Sequence, residues 1–278
     1  MNGLIKAVAI AEAKTAENSK ALSVDYIGEN GLLYCGNCHT AKQYRGNFLG
    51  IEKTVACICQ CRKEELDAEE RARQWEEKQK TIREYRRMGF PESDMQYWTF
   101  TNADGCKIIW AAEKYVENFD RFIQEGKGLL LHGGVGVGKT FAAACIVNAL
   151  IDKGRPCLMT NFSRILNTLW GIDEKQAYID SLNKFDLLVL DDLGIERQSE
   201  YVQEQVFNVV DSRYRAKLPL IVTTNLPLKE LTSPESVGYG RIYDRLLEMC
   251  HPVKVEGESR RRQKVAGGYA SMNAMLGL

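Results

Sequence analysis

From Lys107 to Glu256 the chain alternates between two kinds of apolar pattern. Short β-prone runs at Gly128–Leu131, Pro156–Asn161, Leu187–Leu190, Leu220–Thr223 and Val253–Glu256 are separated by segments with helical spacing of apolar positions. Those segments are Lys107–Glu125, Thr140–Lys153, a stretch from Ser163 that includes Ile179–Lys184, Tyr201–Lys217 and Leu228–Cys250. Strands that read as near-continuous apolar runs are covered on both faces, and strand–helix alternation builds a parallel sheet between two helical layers. The pattern therefore predicts an α/β domain of three layers with a mainly parallel five-stranded sheet over residues 95–278, beginning near Trp98-Thr99-Phe100.

The segments ahead of this domain have other patterns. Residues 62–94 form a charged helical linker, in which 62–88 carry nine basic and eight acidic side chains and neither proline nor glycine. Such a run suits a solvent-exposed helix laced by mixed charge pairs, and Gly89-Phe90-Pro91 ends it. A basic face touching nucleic acid is the alternative use of the same helix. Residues 1–61 form an N-terminal region, Ala- and charge-rich to about residue 30 with a weak helical pattern, then cysteine-rich over 31–61.

The turn after the first β-run carries the clearest chemistry. Gly133-Gly134-Val135-Gly136-Val137-Gly138-Lys139-Thr140 is a complete G-x-x-x-x-G-K-[ST] loop between a strand and a helix that begins with Phe141. Inward-turned backbone N–H groups and a helix N-terminus cradle phosphates, the lysine neutralises β- and γ-phosphate charge, and the hydroxyl binds Mg²⁺. The loop specifies a nucleoside triphosphate site. Phe185–Asp192 reads as a buried strand ending in two carboxylates, Asp191 to hold Mg²⁺ and Asp192 to orient or deprotonate the attacking water. Thr223-Thr224-Asn225 ends another buried strand, and there Asn225 is placed to sense the γ-phosphate.

With 278 residues, 45% of them hydrophobic, and 37 positive charges against 37 negative, the chain is expected to be globular and not a basic nucleic-acid coat. Leu4–Ala11 is too short an apolar stretch, too soon followed by Glu12 and Lys14, for a secretory or membrane segment, so a cytoplasmic protein without membrane contact is expected. Five of the nine cysteines crowd together: Cys35 and Cys38 form a C-x-x-C knuckle, and after eighteen intervening residues come Cys57, Cys59 and Cys61. This spacing matches a structural zinc ribbon, with one thiol of the second group in excess. Strand alternation would pair Cys57 with Cys61, whereas a turn into the following helix would pair Cys59 with Cys61; His39 is a weaker ligand candidate. A redox C-x-x-C and plain buried thiols are the other readings.

Gly240-Arg241-Ile242-Tyr243-Asp244-Arg245-Leu246 places two arginines on one helix face. They either pair locally with Asp244 or Glu248 or reach the γ-phosphate of a neighbouring subunit. Glu258-Ser259-Arg260-Arg261-Arg262 follows the last strand, where it can meet nucleotide or a phosphate backbone.

Taken together, Gly133–Thr140, Leu190-Asp191-Asp192-Leu193-Gly194, Thr223-Thr224-Asn225-Leu226, Gly240–Leu246 and Ser259-Arg260-Arg261 resemble the DnaC/DnaI-type replicative helicase loaders, AAA+ ATPases, in their phage or prophage form. The resemblance covers residues 95–265, and the cysteine module is similar to that of the DnaI-like branch. It implies ATP hydrolysis with Mg²⁺, Arg245 as an arginine finger with Arg241 beside it, and Arg261 at the sensor 2 position. It also implies a DnaB-type hexameric helicase as partner of the N-terminal region, single-stranded DNA contact, and a homo-oligomer formed through the ATPase domains. Two features depart from the AAA+ pattern: seventeen residues after Arg261 are too few for the helical lid, and Asp192 stands where many relatives have Glu, which suits slow, switch-like hydrolysis. IstB-type transposition helper ATPases, whose partner is a transposase, have a closely similar core. A zinc-containing nucleic-acid adaptor that binds nucleotide only to assemble is a more distant alternative.

Overall fold

The computed structural model describes residues 24–48, 50–91, 94–194, 199–234 and 237–260, with Met272, Met275 and Leu276. The weak helical pattern predicted for the first thirty residues lies largely outside them. Two compact units divide the chain at Gln79 and Lys80, inside one long helix. Among the described residues no helix is long and apolar enough to cross a membrane.

The first unit holds two antiparallel hairpins, β1 (Tyr26–Ile27) with β2 (Leu33–Tyr34), and β3 (Gln43–Phe48) with β4 (Ile51–Ala56). Helix α1 (Gln60–Gly89) follows. Its first turns are laced by Arg62 with Glu65 and Glu69, and by Arg73 with Glu70, as mixed charges on a solvated helix require. Its last turns belong to the second unit, where Arg86 pairs with Asp152. Gly89 is needed there, because a Cβ would stand 2.7 Å from the Cys157 carbonyl oxygen.

In the second unit, α2 (Lys107–Glu117), α3 (Phe119–Glu125), β5 (Gly128–His132), α4 (Lys139–Asp152), β6 (Cys157–Asn161), α5 (Phe162–Trp170), α6 (Lys175–Ser181), β7 (Leu187–Leu193), α7 (Glu200–Arg215), β8 (Leu220–Thr224), α8 (Leu228–Thr232), α9 (Val237–Met249) and β9 (Cys250–Lys254) follow in order. The five strands form one parallel sheet in the order β6-β7-β8-β5-β9. Alternate residues face opposite layers: Leu187 and Val189 join Leu131 and Ile221 under α2 and α4, while Leu188 and Leu190 join Leu130 and Val222 under α5, α7 and α9. Each such fully buried side chain contributes about 1.5–3 kcal/mol.

Two elements differ from the sequence expectation. The single helix expected over Lys107–Glu125 breaks at Asn118, whose ψ of 16° leaves the helical region. The last strand starts at Cys250 and ends at Lys254, whereas the pattern placed it at Val253–Glu256. Pro252 hides its start, yet a missing N–H is tolerable on this edge strand, and Cys250 anchors the register by pairing with Gly128. Below the sheet, Arg213 is 1% exposed and donates to the carbonyls of Phe185 at 2.8 Å and Pro219 at 2.5 Å, tying the amino ends of β7 and β8.

Candidate nucleotide site and cysteine cluster

The carboxyl edge of the sheet gathers most of the residues expected to act. Strand β5 leads into the phosphate loop, in which Gly133 has φ 150°, Gly136 φ 82° and Gly138 φ 104°. Gly134 precedes an exposed Val135, and Gly136 separates that residue from Val137, which is buried in the core. Lys139 opens α4 and is buried; its Nζ donates to the carbonyls of Gly133 at 2.9 Å and Gly134 at 2.7 Å, and to Asn225 Oδ1 at 2.7 Å. Asn225 thus touches the lysine of the G-x-x-x-x-G-K-[ST] motif. Phe141, two residues further, packs its ring on Trp98 at 5.7 Å.

The two carboxylates are set by a β-bulge. Pairing of β7 with β8 shifts between Leu190 and Leu193, and Asp192 takes φ 57°, a left-handed conformation that aspartate tolerates better than most residues. Thr223 holds both acids: its hydroxyl donates to Asp191 Oδ1 at 2.6 Å and accepts the Asp192 N–H at 2.9 Å. Thr224 does the same one step on, donating to the Leu193 carbonyl at 2.7 Å and accepting the Leu226 N–H at 3.1 Å. These threonine roles escaped the sequence reading, which used Thr223-Thr224 only as the approach to Asn225. Their signal is a hydroxyl pair beside a strand whose register breaks, and the break is not visible in one strand alone.

Burial pushes the Asp191 carboxyl above its ordinary range, opposed by the hydrogen bonds from Thr223 and Thr140 and by nearby Lys139. The Thr140 hydroxyl and Asp191 are therefore neighbours, and their hard oxygens suit Mg²⁺. A cleft lined by Phe90, Met95, Met159, Asn161 and Arg164 opens beside Asp191.

The arginines of α9 are not part of this group. Arg241 is exposed, whereas Arg245 pairs with Asp211 of α7 at 2.7 Å and lies 4.4 Å from the Phe207 ring centre. Asp211 also pairs with Arg215, so neither Asp244 nor Glu248 is the local acid for Arg245. Arg261 lies outside the described residues. Its neighbour Arg260 does reach the phosphate loop, donating its N–H to the Gly136 carbonyl at 3.1 Å.

In the first unit, the thiols of Cys35, Cys38, Cys59 and Cys61 lie within 4.8 Å of one another. Cys57 is outside the set and donates to the Ala41 carbonyl at 3.3 Å. The turn into α1 brings Cys59 and Cys61 together, where strand alternation would have chosen Cys57. His39 is also outside, its ring 3.3 Å from the Tyr26 hydroxyl. Hydrogen bonds from the Thr40 hydroxyl and the Cys61 backbone lower Cys38 to about 5, while the neighbouring thiols push Cys61 up to about 12. Four sulfurs gathered this closely offer the soft donor set that a dication such as zinc takes. The donor set and spacing fit zinc.

A buried ion pair supports the knuckle. Asp25 accepts the Gly36 N–H at 3.1 Å and pairs with Lys42 at 2.8 Å, the two side chains being 1% and 4% exposed. Gly36 is obligatory at this approach, since a Cβ would fall 1.9 Å from the Val24 carbonyl oxygen. The supporting segment begins before residue 31, where the cysteine-rich pattern begins.

A phosphate loop, a carboxylate pair and a polar strand end on adjoining parallel strands define a P-loop nucleoside-triphosphate-binding protein. More particularly, the chain belongs to the IstB-like ATP binding protein family, which it matches over residues 62–267. It is 31% identical over 150 residues to the replicative helicase loader DnaI of Bacillus subtilis, covering 49% of this chain and 48% of that protein. It is 27% identical over 156 residues to an ATP-binding protein in an insertion sequence of Mycobacterium tuberculosis, covering 54% of this chain and 62% of that one. The fold is similar to the crystal structure of the DnaC helicase loader, with a TM-score of 0.51 and 23% identity over 59% of this chain and all of that one. The chain spans about half the length of the helicase loader DnaI. The domain has the AAA+ fold anticipated from its motifs.

Proposed function

We propose that this chain hydrolyses ATP and uses the ATP cycle to load a DnaB-type hexameric replicative helicase onto single-stranded DNA. The observation that supports the ATPase reading is the hydrogen bond from Lys139 to Asn225, which follows the strand whose Thr223 holds Asp191, so that the phosphate-loop lysine and the polar strand end meet at one place. Lys139 and the loop N–H groups hold the phosphates; Asp192 orients or deprotonates the attacking water; Asn225 senses the γ-phosphate. Mg²⁺, held by Thr140 and Asp191, would draw negative charge from the phosphate oxygens.

The ATPase domains work side by side as a homo-oligomer in the cytoplasm, with Arg245, and Arg241 beside it, completing the site of a neighbour. The helicase is the partner of the N-terminal region, whose four-thiol cluster holds zinc. Similarity to the loader DnaI supports this choice. The insertion-sequence relative favours a second reading, a transposition helper acting with a transposase.

Elemental analysis is expected to find one zinc per chain, released when the thiols are modified; a metal-free chain with four free thiols would remove the zinc module. The test of the partner is retention of purified proteins by the full chain in the presence of ATP. The host's hexameric helicase should be retained, and retained less once zinc has been stripped. Retention of a transposase and not of the helicase would turn the reading to transposition.

A further inference from the structure

The segment after β9 runs back along the phosphate loop. The Val255 N–H donates to the His132 carbonyl at 2.8 Å, and the Val255 carbonyl oxygen would lie 2.2 Å from a Cβ on Gly133. Ser259 stands over Gly136, where a Cβ would meet its Oγ at 2.3 Å, and the next N–H, that of Arg260, donates to the Gly136 carbonyl. Both loop glycines are thus constrained by this strap. The strap is itself fastened: the Arg260 guanidinium reaches Asp104 Oδ2 at 3.3 Å and Cys106 Sγ at 3.3 Å. Cys106 caps α2, which packs against α4, the helix that the loop opens.

We infer that Arg260 is a positioning residue for nucleotide, acting as a clasp that fastens the 255–260 strap to Asp104 and Cys106 and so fixes the shape of the phosphate loop. This goes beyond the loader reading and rests only on nucleotide binding. The sheet order gives the inference a direction. Strands β8 and β7, which carry Asn225 and Asp191, lie on one side of β5, and β9 lies on the other. The clasp therefore approaches the loop from the side away from the γ-phosphate group and acts on loop shape, so it supports ADP and ATP alike.

The test is a double-mutant cycle with fluorescent ATP and ADP analogues bound to the full chain. Arg260→Ala is expected to weaken both nucleotides equally, by about three- to fivefold, the size suited to an exposed pair working through the backbone. Asp104→Ala should give a smaller loss of the same kind, and the double variant should bind no worse than Arg260→Ala alone. Thermal unfolding without nucleotide serves as the second measurement, because a purely structural arginine would lower the midpoint while leaving both affinities in place. Unchanged affinities would overturn the clasp, as would a loss confined to ATP, which would mean direct contact with the γ-phosphate. Additive effects of the two substitutions would also overturn it.

Discussion

Asp192→Asn is expected to lower ATP turnover by about 100-fold to 10,000-fold while leaving ATP affinity within about twofold. The substitution keeps side-chain shape and removes the charge that can take a proton from water. The bulge that aims the side chain should survive, because it is held by the backbone N–H of residue 192 on Thr223 Oγ1 and by Thr224 on the Leu193 carbonyl. Asparagine also tolerates the left-handed φ of 57° found here. Phosphate release and binding of a non-hydrolysable analogue separate the two quantities. Full function in a variant that no longer hydrolyses would mean that nucleotide serves assembly alone, as in an adaptor.

Arg245→Ala is expected to abolish DNA-stimulated turnover, a loss on the order of 10³–10⁵, with ATP binding intact. An arginine that stabilises transition-state charge acts on a site other than its own, consistent with its absence from the group around Lys139. Its resting contacts complicate the experiment in a useful way. Arg245 pairs with Asp211 and lies over Phe207, so its removal also loosens α9 on α7. Arg241→Ala has no such packing to lose, since Arg241 is exposed. Mixing Arg245→Ala with Lys139→Ala chains should restore part of the turnover, because some interfaces then join an intact loop to an intact arginine. No recovery on mixing would place Arg245 in a structural role, and a larger kinetic loss from Arg241→Ala would move the finger to that residue.

The sheet was legible because parallel strands buried on both faces are written as apolar runs, and Leu187–Leu190 or Leu220–Thr223 hardly read otherwise. The last strand was displaced because Cys250-His251-Pro252 carries no such run, and its place is fixed by register with Gly128 on a strand far away in sequence. Lys139, Asp191 and Asn225 were readable since each ends or follows a contiguous motif. What joins them was not: Thr223 bridging both acids depends on a bulge created between two strands. Spacing left Cys57, Cys59 and Cys61 equivalent, and the turn into α1 chose among them. The buried Asp25–Lys42 pair gave no signal, because one acid and one base seventeen residues apart look like surface charges until a fold excludes water from them.

The proposal of a loader depends on ATP being used to place a ring on a strand. The most direct measurement is unwinding by the host's hexameric helicase on single-stranded DNA coated with single-strand-binding protein, with the full chain and ATP present. The expected result is that unwinding begins only when the chain is added and fails to begin with its Lys139→Ala variant. Unwinding that starts equally well without the chain, or with the Lys139→Ala variant in its place, would contradict it.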